Sequence, residues 1–295
     1  MTIEIISSGL TLIQDVGRIG FIEVGVSNSG AWDHTGYQLA TGLVGQDNAP
    51  CFEILLGKFE ITCNHRILFA VVGHARVEIS DNKAASATAM YLNPGETLSL
   101  TPDGTGPVYL AVAGLMISKT LSSASTDTLS GLGPKPVQSG DTFEVDAQTG
   151  SDELVGSFLQ PRPKQGPTFH YIPGPNQLEI SGNYEVRTVS RTGIRLSNAS
   201  STGHGILASF PVLPGSIQLT PSGKPVILGP DAGTTGGYPV AGVIIRAEQD
   251  YLSHLIPGSQ IRLEPITPQQ AKTKLQLLEK YLTHAVIRPS NMGAW

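Results

Sequence analysis

The chain is cut into short apolar runs, and nearly every cut holds glycine, proline, asparagine or aspartate. Its 34 glycines and 21 prolines fall between these runs and form no low-complexity tract. Turns recurring this closely call for short strands, so the pattern predicts a mainly β protein. Residues 51–112 show the rule most clearly. Phe52-Glu53-Ile54-Leu55, Phe59-Glu60-Ile61-Thr62-Cys63, Ile67-Leu68-Phe69-Ala70-Val71-Val72, Val77-Glu78-Ile79, Thr97-Leu98-Ser99-Leu100 and Val108-Tyr109-Leu110-Ala111-Val112 read as strands. Leu56-Gly57-Lys58, Asp81-Asn82-Lys83, Asn93-Pro94-Gly95 and Pro102-Asp103-Gly104 turn the chain between them. Such a series suggests an antiparallel barrel or sandwich.

Three stretches break the pattern. After Trp32-Asp33, the residues Tyr37, Leu39, Ala40, Leu43 and Val44 share a helical face that Gly45 ends. Glu248 to Leu255 reads as a short helix. Thr267-Pro268 opens a C-terminal helix with Thr267 as N-cap, and Ala271, Leu275, Leu278, Leu282 and Ala285 lie along one face, ready to pack on the barrel or on a partner. The polar, proline-containing segment 159–167 reads as a semi-rigid linker between an N-terminal lobe, 1–160, and a C-terminal lobe, 168–295.

A net charge of -5 and a pI near 5.8, with no clustered Lys/Arg surface, argue against nucleic acid as a partner. No apolar stretch approaches the roughly 18 residues of a membrane span, and Met1-Thr2-Ile3-Glu4 lacks the features of a signal peptide, so a cytoplasmic protein with no membrane partner is expected. Cys51 and Cys63 sit in apolar runs and read as buried thiols. Cys63 and His65 have no second ligand pair at zinc spacing, and no metal is expected.

Four segments hold candidate site residues. The Gly17-Arg18-Ile19-Gly20 turn presents Gln14, Asp15 and Arg18 together, either as an internal ion pair or as a substrate contact. Ser29-Gly30 precedes a helix, where backbone N–H groups suit an anion and where Ser29 or Asp33 alternatively serves as a plain N-cap. Arg191 precedes the turn glycine Gly193, a placement suited to a carboxylate or to a solvated strand end. The loop from Leu228 to Val240 contains Asp231, Gly236, Gly237 and Tyr238, with paired glycines for close backbone approach and a phenol and a carboxylate for proton transfer; it reads equally as a hairpin loop. Gly131-Leu132-Gly133-Pro134 lacks the pattern of a phosphate loop. Gly203-His204-Gly205-Ile206-Leu207-Ala208 matches a dinucleotide fingerprint by letter only, because Pro211 and Pro214 forbid the helix that fingerprint opens. No Gly-x-Ser-x-Gly elbow or His-Glu-x-x-His is present, and none of the seven histidines sits beside an obvious nucleophile.

Six segments in order resemble the allophanate hydrolase subunit 2 family, also called the biotin-dependent carboxyltransferase family. They are residues 9–20, Ser29-Gly30-Ala31-Trp32-Asp33, Leu43-Val44-Gly45, Arg191-Thr192-Gly193-Ile194-Arg195-Leu196, Pro214-Gly215-Ser216-Ile217-Gln218-Leu219 and Thr234-Thr235-Gly236-Gly237-Tyr238-Pro239. The resemblance implies two cyclophilin-like β-barrel lobes and a subunit 1 partner, of the 5-oxoprolinase B type, sharing the active site. The implied function is that of the C-type component of a 5-oxoprolinase, working with a LamB/YcsF-type component of the A type on a small amide or lactam. It also implies carboxyl transfer from carboxybiotin to urea or a related amide as an alternative, and antagonism of a kinase inhibitor as a non-enzymatic one. On this reading the chain binds no cofactor itself; ATP is used by the complex, and biotin rides on a separate carrier if carboxyl transfer holds. The expected catalytic residues are Asp15, Asp231 and Tyr238, and the expected substrate contacts are Gln14, Arg18, Ser29, Gly30, Arg191, Gly236 and Gly237. Two departures from the family bear on substrate class: Val189-Ser190 stands before Arg191, and Gly233 stands where a glutamine is common.

Overall fold

The computed structural model of the chain describes residues 1–146, 149–174, 176, 178–197, 205 and 207–289. Gly203, His204 and Ile206 of the discarded dinucleotide pattern lie outside them. Strands dominate the described residues, with α-helices at His34–Leu43, Arg246–Gln249 and Pro268–His284.

The first half of the chain folds two antiparallel sheets over one core. Thr2–Ser7 pairs with Phe59–Cys63 and with Thr142–Val145 inside a seven-stranded sheet. Leu10–Gln14, Cys51–Leu56, Val108–Val112, Ile67–Val72 and Ala89–Leu92 follow one another in a five-stranded sheet. Phe59–Cys63 buries Phe59, Ile61 and Cys63 and turns Glu60 and Thr62 outward, the alternation of a strand with one covered face. Val108–Val112 is buried at every position. Its Leu110 face meets the inter-sheet core, whereas Tyr109 and Ala111 pack with Tyr37, Ala40 and Leu43 of the first helix. Phe52, Phe59 and Phe69 are fully buried, each worth about 2 kcal/mol of transfer free energy. Cys51 and Cys63 are buried and unpaired, and burial pushes both thiols up.

In the second half, seven strands close into a barrel: Thr168–Pro173, Val240–Ile244, Ser216–Leu219, Pro225–Leu228, Gly193–Leu196, Gly182–Ser190 and Gln260–Pro265. Only the closing pair, Thr168–Pro173 with Gln260–Pro265, runs parallel. Phe169, Tyr171, Tyr184, Ile217, Ile227 and Leu263 fill the interior. The strands on either side of the Gly-Gly-Tyr-Pro loop do not pair with each other. Both flank Ser216–Leu219, so the loop is a crossover at the barrel's rim and not a hairpin.

The last helix opens with a full capping box between Thr267 and Gln270 and with proline in its first turn. Its Lys274 reaches Glu248 at 3.1 Å. Beyond it, Val286–Ile287 pairs with Phe158–Leu159, and Arg288 donates to the carbonyls of Gly42 and Leu43. This last stretch therefore fastens onto the first half. Among the described residues no helix is long and apolar enough to cross a membrane.

Candidate functional site

The two halves meet through buried charge. Arg191, in the turn between Gly182–Ser190 and Gly193–Leu196, sends its guanidinium into the first half. Nε and Nη2 donate to Oδ2 and Oδ1 of Asp231 at 2.8 and 2.7 Å, Nη1 donates to Glu53 Oε1 at 2.7 Å, and Nη2 also reaches the Gly30 carbonyl at 2.7 Å. Burial opposes the charge, but the Glu53 and Asp231 carboxylates outweigh it and hold the guanidinium above its ordinary pKa. Asp231 further accepts from Ser29 Oγ at 2.7 Å and from the Thr128 amide and hydroxyl at 3.0 and 2.6 Å. Five donors thus converge on its two oxygens. Glu53 also accepts from Tyr109 Oη at 2.7 Å and from the Trp32 amide at 2.9 Å. Burial first, and the Glu53 charge second, push the Tyr109 phenol well up.

Beside this cluster, Asp15 gathers the segment 123–125. It accepts from the Ser123 and Ser125 hydroxyls at 2.6 Å each, from the Ala124 amide at 2.7 Å and from the Gly17 amide at 2.8 Å. Leu121 and Ser122, both at positive φ without being glycine, form the turn that leads into this segment. Gln14 Nε2 donates to the Thr126 carbonyl at 3.0 Å, and its buried Oε1 has no donor among the described residues. Arg18 is fully buried and does not pair with Asp15; its Nη2 donates to the Ser125 carbonyl.

A third constellation ties the linker to both halves. Asp33 caps the first helix through the Gly36 amide at 2.9 Å, and its other oxygen meets His254 Nε2 at 2.8 Å and Arg162 Nη1 at 2.5 Å. Burial would raise this carboxyl, but the His254 hydrogen bond and the Arg162 charge outweigh it and hold it below the usual carboxylate range. Asp250 accepts from the Thr35 amide and hydroxyl and from Arg246. Between the halves lies a cavity of about 260 Å³ walled by Ser29, Trp32, His34, Gly229, Arg246 and Gln249, among others.

The Gly-Gly-Tyr-Pro segment stands outside these networks. Thr235–Gly236 forms a two-residue ladder with Phe210–Pro211. Tyr238 is 36% exposed, and its phenol has no hydrogen-bond partner among the described residues. Gly236 lies on the buried Gln218 side chain so closely that a Cβ there would overlap Nε2, which has no acceptor among the described residues. A β-bulge between Ile217 and Gln218 sets that side chain's direction.

The structure thus joins Ser29, Gly30, Arg191 and Asp231 in one network and places Gln14, Asp15 and Arg18 on the adjoining strand end. Gly236, Gly237 and Tyr238 lie on the barrel rim. Sequence reasoning passed over Glu53, Arg162, His254 and the 123–128 segment. Two signals were present: a lone carboxylate inside the apolar run 51–56, and four hydroxyl residues among the six of Ser123-Ala124-Ser125-Thr126-Asp127-Thr128.

Residues 24–265 match the model of the carboxyltransferase domain, subdomains A and B. The chain belongs to this carboxyltransferase family. It is 30% identical to the C component of 5-oxoprolinase from Escherichia coli K12, an alignment that covers 98% of this chain and 99% of that one. It is 26% identical to urea amidolyase of Lachancea kluyveri over 91% of its own length, but only 17% of the yeast protein is covered. Among solved structures, the crystal structure of TTHA0988 superposes with a TM-score of 0.82 at 28% identity, covering 89% of this chain and 55% of that one. This member of the carboxyltransferase family thus spans about half of TTHA0988 and nearly all of the bacterial 5-oxoprolinase component.

Proposed function

We propose that this chain is one component of an ATP-dependent, 5-oxoprolinase-type amide-activating enzyme, and that a subunit 1 homologue completes its active site. The observation that carries the reading is the end-to-end match to a bacterial 5-oxoprolinase component, 98% of one chain against 99% of the other. The saturation of the candidate carboxylates supports a shared site. Asp15 has four donors and Asp231 five, so both act as fastenings that fix the Gln14–Arg18 and Ser29–Gly30 segments. The Tyr238 phenol, on the rim, is the group of this chain placed to exchange a proton with a substrate held against Gly236 and Gly237. ATP and the remaining reacting groups come from the partner chains, including one of the LamB/YcsF type. The two lobes, 1–160 and 168–295, work as one unit because the Arg191–Glu53 and His254–Asp33 contacts and the Val286–Ile287 strand cross between them.

The test is reconstitution. With the subunit 1 and LamB/YcsF-type homologues co-purified and folded, ATP-dependent opening of 5-oxoproline is expected, and no turnover in that preparation overturns the reading. The similarity to urea amidolyase supports a second reading, carboxyl transfer to urea or a related amide. It requires a biotinylated carrier, so activity that avidin abolishes favours it over the first.

A further inference from the structure

Among the described residues, Arg18 is the anomalous buried cation. It is fully buried, its Nη2 donates to the Ser125 carbonyl, and its Nε and Nη1 have no acceptor among the described residues. It makes no ion pair with any described residue. The carboxylates on the segments around it are committed elsewhere: Asp15 to four donors, and Asp127 to the Leu129 and Ser130 amides and the Ser27 hydroxyl. A buried cation without a counter-charge is retained against a large desolvation cost, which a bound anion removes. Gly133 lies directly against the guanidinium. At φ +82° it admits no side chain, and a Cβ there would overlap both Arg18 Nη2 and the Ser125 carbonyl. Gly133 also lines an open groove of about 770 Å³ with Lys119, Thr120, Pro134, Phe143 and Glu144 among its walls. Gly133 therefore lies both against the guanidinium and on the wall of a groove that carries a second cation, Lys119.

We propose that Arg18 is the receptor for a small planar oxyanion of the carboxylate class, admitted when the 130–134 loop moves aside. The unengaged Nε–H and Nη1–H bonds, each beside Nη2, leave room for a two-point contact through Nη2 with either, which suits a carboxylate better than a neutral amide. The inference rests on the reading of this chain as part of an amide-activating enzyme, and it extends that reading to an acidic ligand. The oxyanion is either the substrate's own carboxylate or free bicarbonate.

The experiment titrates L-5-oxoproline, neutral 2-pyrrolidinone and ¹³C-bicarbonate into the full chain, alone and with its partner chains, for wild type, Arg18→Met and Arg18→Lys. At least one oxyanion is expected to bind, 2-pyrrolidinone is not, and Arg18→Met is expected to weaken oxyanion binding at least tenfold. Removing the unpaired charge while keeping an apolar side chain is also expected to raise Tm of the ligand-free chain by about 2 °C or more. Arg18→Lys keeps the charge without the planar fork, so it is expected to weaken binding without that rise. A lower Tm in Arg18→Met overturns the proposal whatever the titrations give, because it marks a structural arginine. Absence of oxyanion binding to both chain and complex overturns it as well. Binding of bicarbonate alone supports Arg18 as the receptor and leaves the lactam reading to the reconstituted assay.

Discussion

Arg191 and Asp231 meet side-on, with Nε to Oδ2 at 2.8 Å and Nη2 to Oδ1 at 2.7 Å, at the shared end of the antiparallel Pro225–Leu228 and Gly193–Leu196 strand pair, where Gly193 faces Leu228. The Asp231 amide also donates to the Arg191 carbonyl at 3.0 Å, so backbone and side chains agree on one register. Because the same guanidinium reaches Glu53 and Gly30, this pair is the bolt between the barrel and the two-sheet half. Arg191→Met leaves two buried carboxylates without their cation and is expected to cost roughly 3–5 kcal/mol in urea unfolding. Arg191→Lys keeps the charge but loses the fork, so it should recover only part of that loss. A change under about 1 kcal/mol in Arg191→Met, the size of an exposed pair, would show that the halves are not bolted here.

Acid should loosen the interface between the halves in two steps. Burial, and then the nearby Arg246, hold His34 below its ordinary pKa of 6.5, while His254 and Arg162 overcome burial to hold Asp33 below 3.8. In both cases the unfolded chain binds protons more readily. The stability from a neutral His34 is full above its unfolded pKa and is lost as pH falls through the lower folded one. Asp33 follows the same sign, its contribution full above its unfolded pKa of 3.8 and lost as pH falls through the lower folded one. Urea midpoints from about pH 8 down to about pH 3 should therefore fall on descent, with His34→Gln flattening the upper limb and Asp33→Asn the lower. A midpoint that rises between about pH 7 and about pH 5 contradicts the assignment to His34.

Much of the fold is legible in the sequence because its causes are local. Turn residues between short apolar runs mark the strands, Thr267-Pro268 marks the last helix, and Gly45 marks the end of the first. The site is less legible because its pairings are remote. Ser29 and Asp231 are 202 residues apart, and His254 and Asp33 are 221 apart, distances across which no periodicity runs. Glu53 is only a polar letter in a strand run until the barrel's Arg191 is placed against it. Arg18 and Asp15, on one short turn, invite pairing on paper. The fold separates them because Asp15 is claimed by the 123–125 segment.

The two glycines of the 130–134 loop offer an internal control. Gly131 at φ +73° and Gly133 at φ +82° share a left-handed backbone, but an added Cβ meets nothing within 4 Å at Gly131 and overlaps Ser125 and Arg18 at Gly133. Gly131→Ala is expected to show only the conformational cost of about 1–2 kcal/mol. Gly133→Ala adds displacement of the loop from the guanidinium and should exceed it by about 1 kcal/mol or more. Equal losses in denaturant unfolding would mean that the loop does not seat on Arg18.

Tyr238 separates chemistry from architecture. Its ring is partly exposed and its hydroxyl has no partner among the described residues, so Tyr238→Phe is expected to leave Tm unchanged. If the phenol moves a proton during turnover, the reconstituted enzyme should lose about 10²- to 10⁴-fold in kcat, with KM changed far less. Asp15→Asn provides the contrast. The neutral amide accepts poorly from two hydroxyls and two backbone amides at once, so Tm should fall and activity with it. Full activity in Tyr238→Phe, measured beside an Asp15→Asn variant that has lost stability, would assign the proton transfer to a residue of the partner chain and leave the Gly236-Gly237 loop as a binding wall.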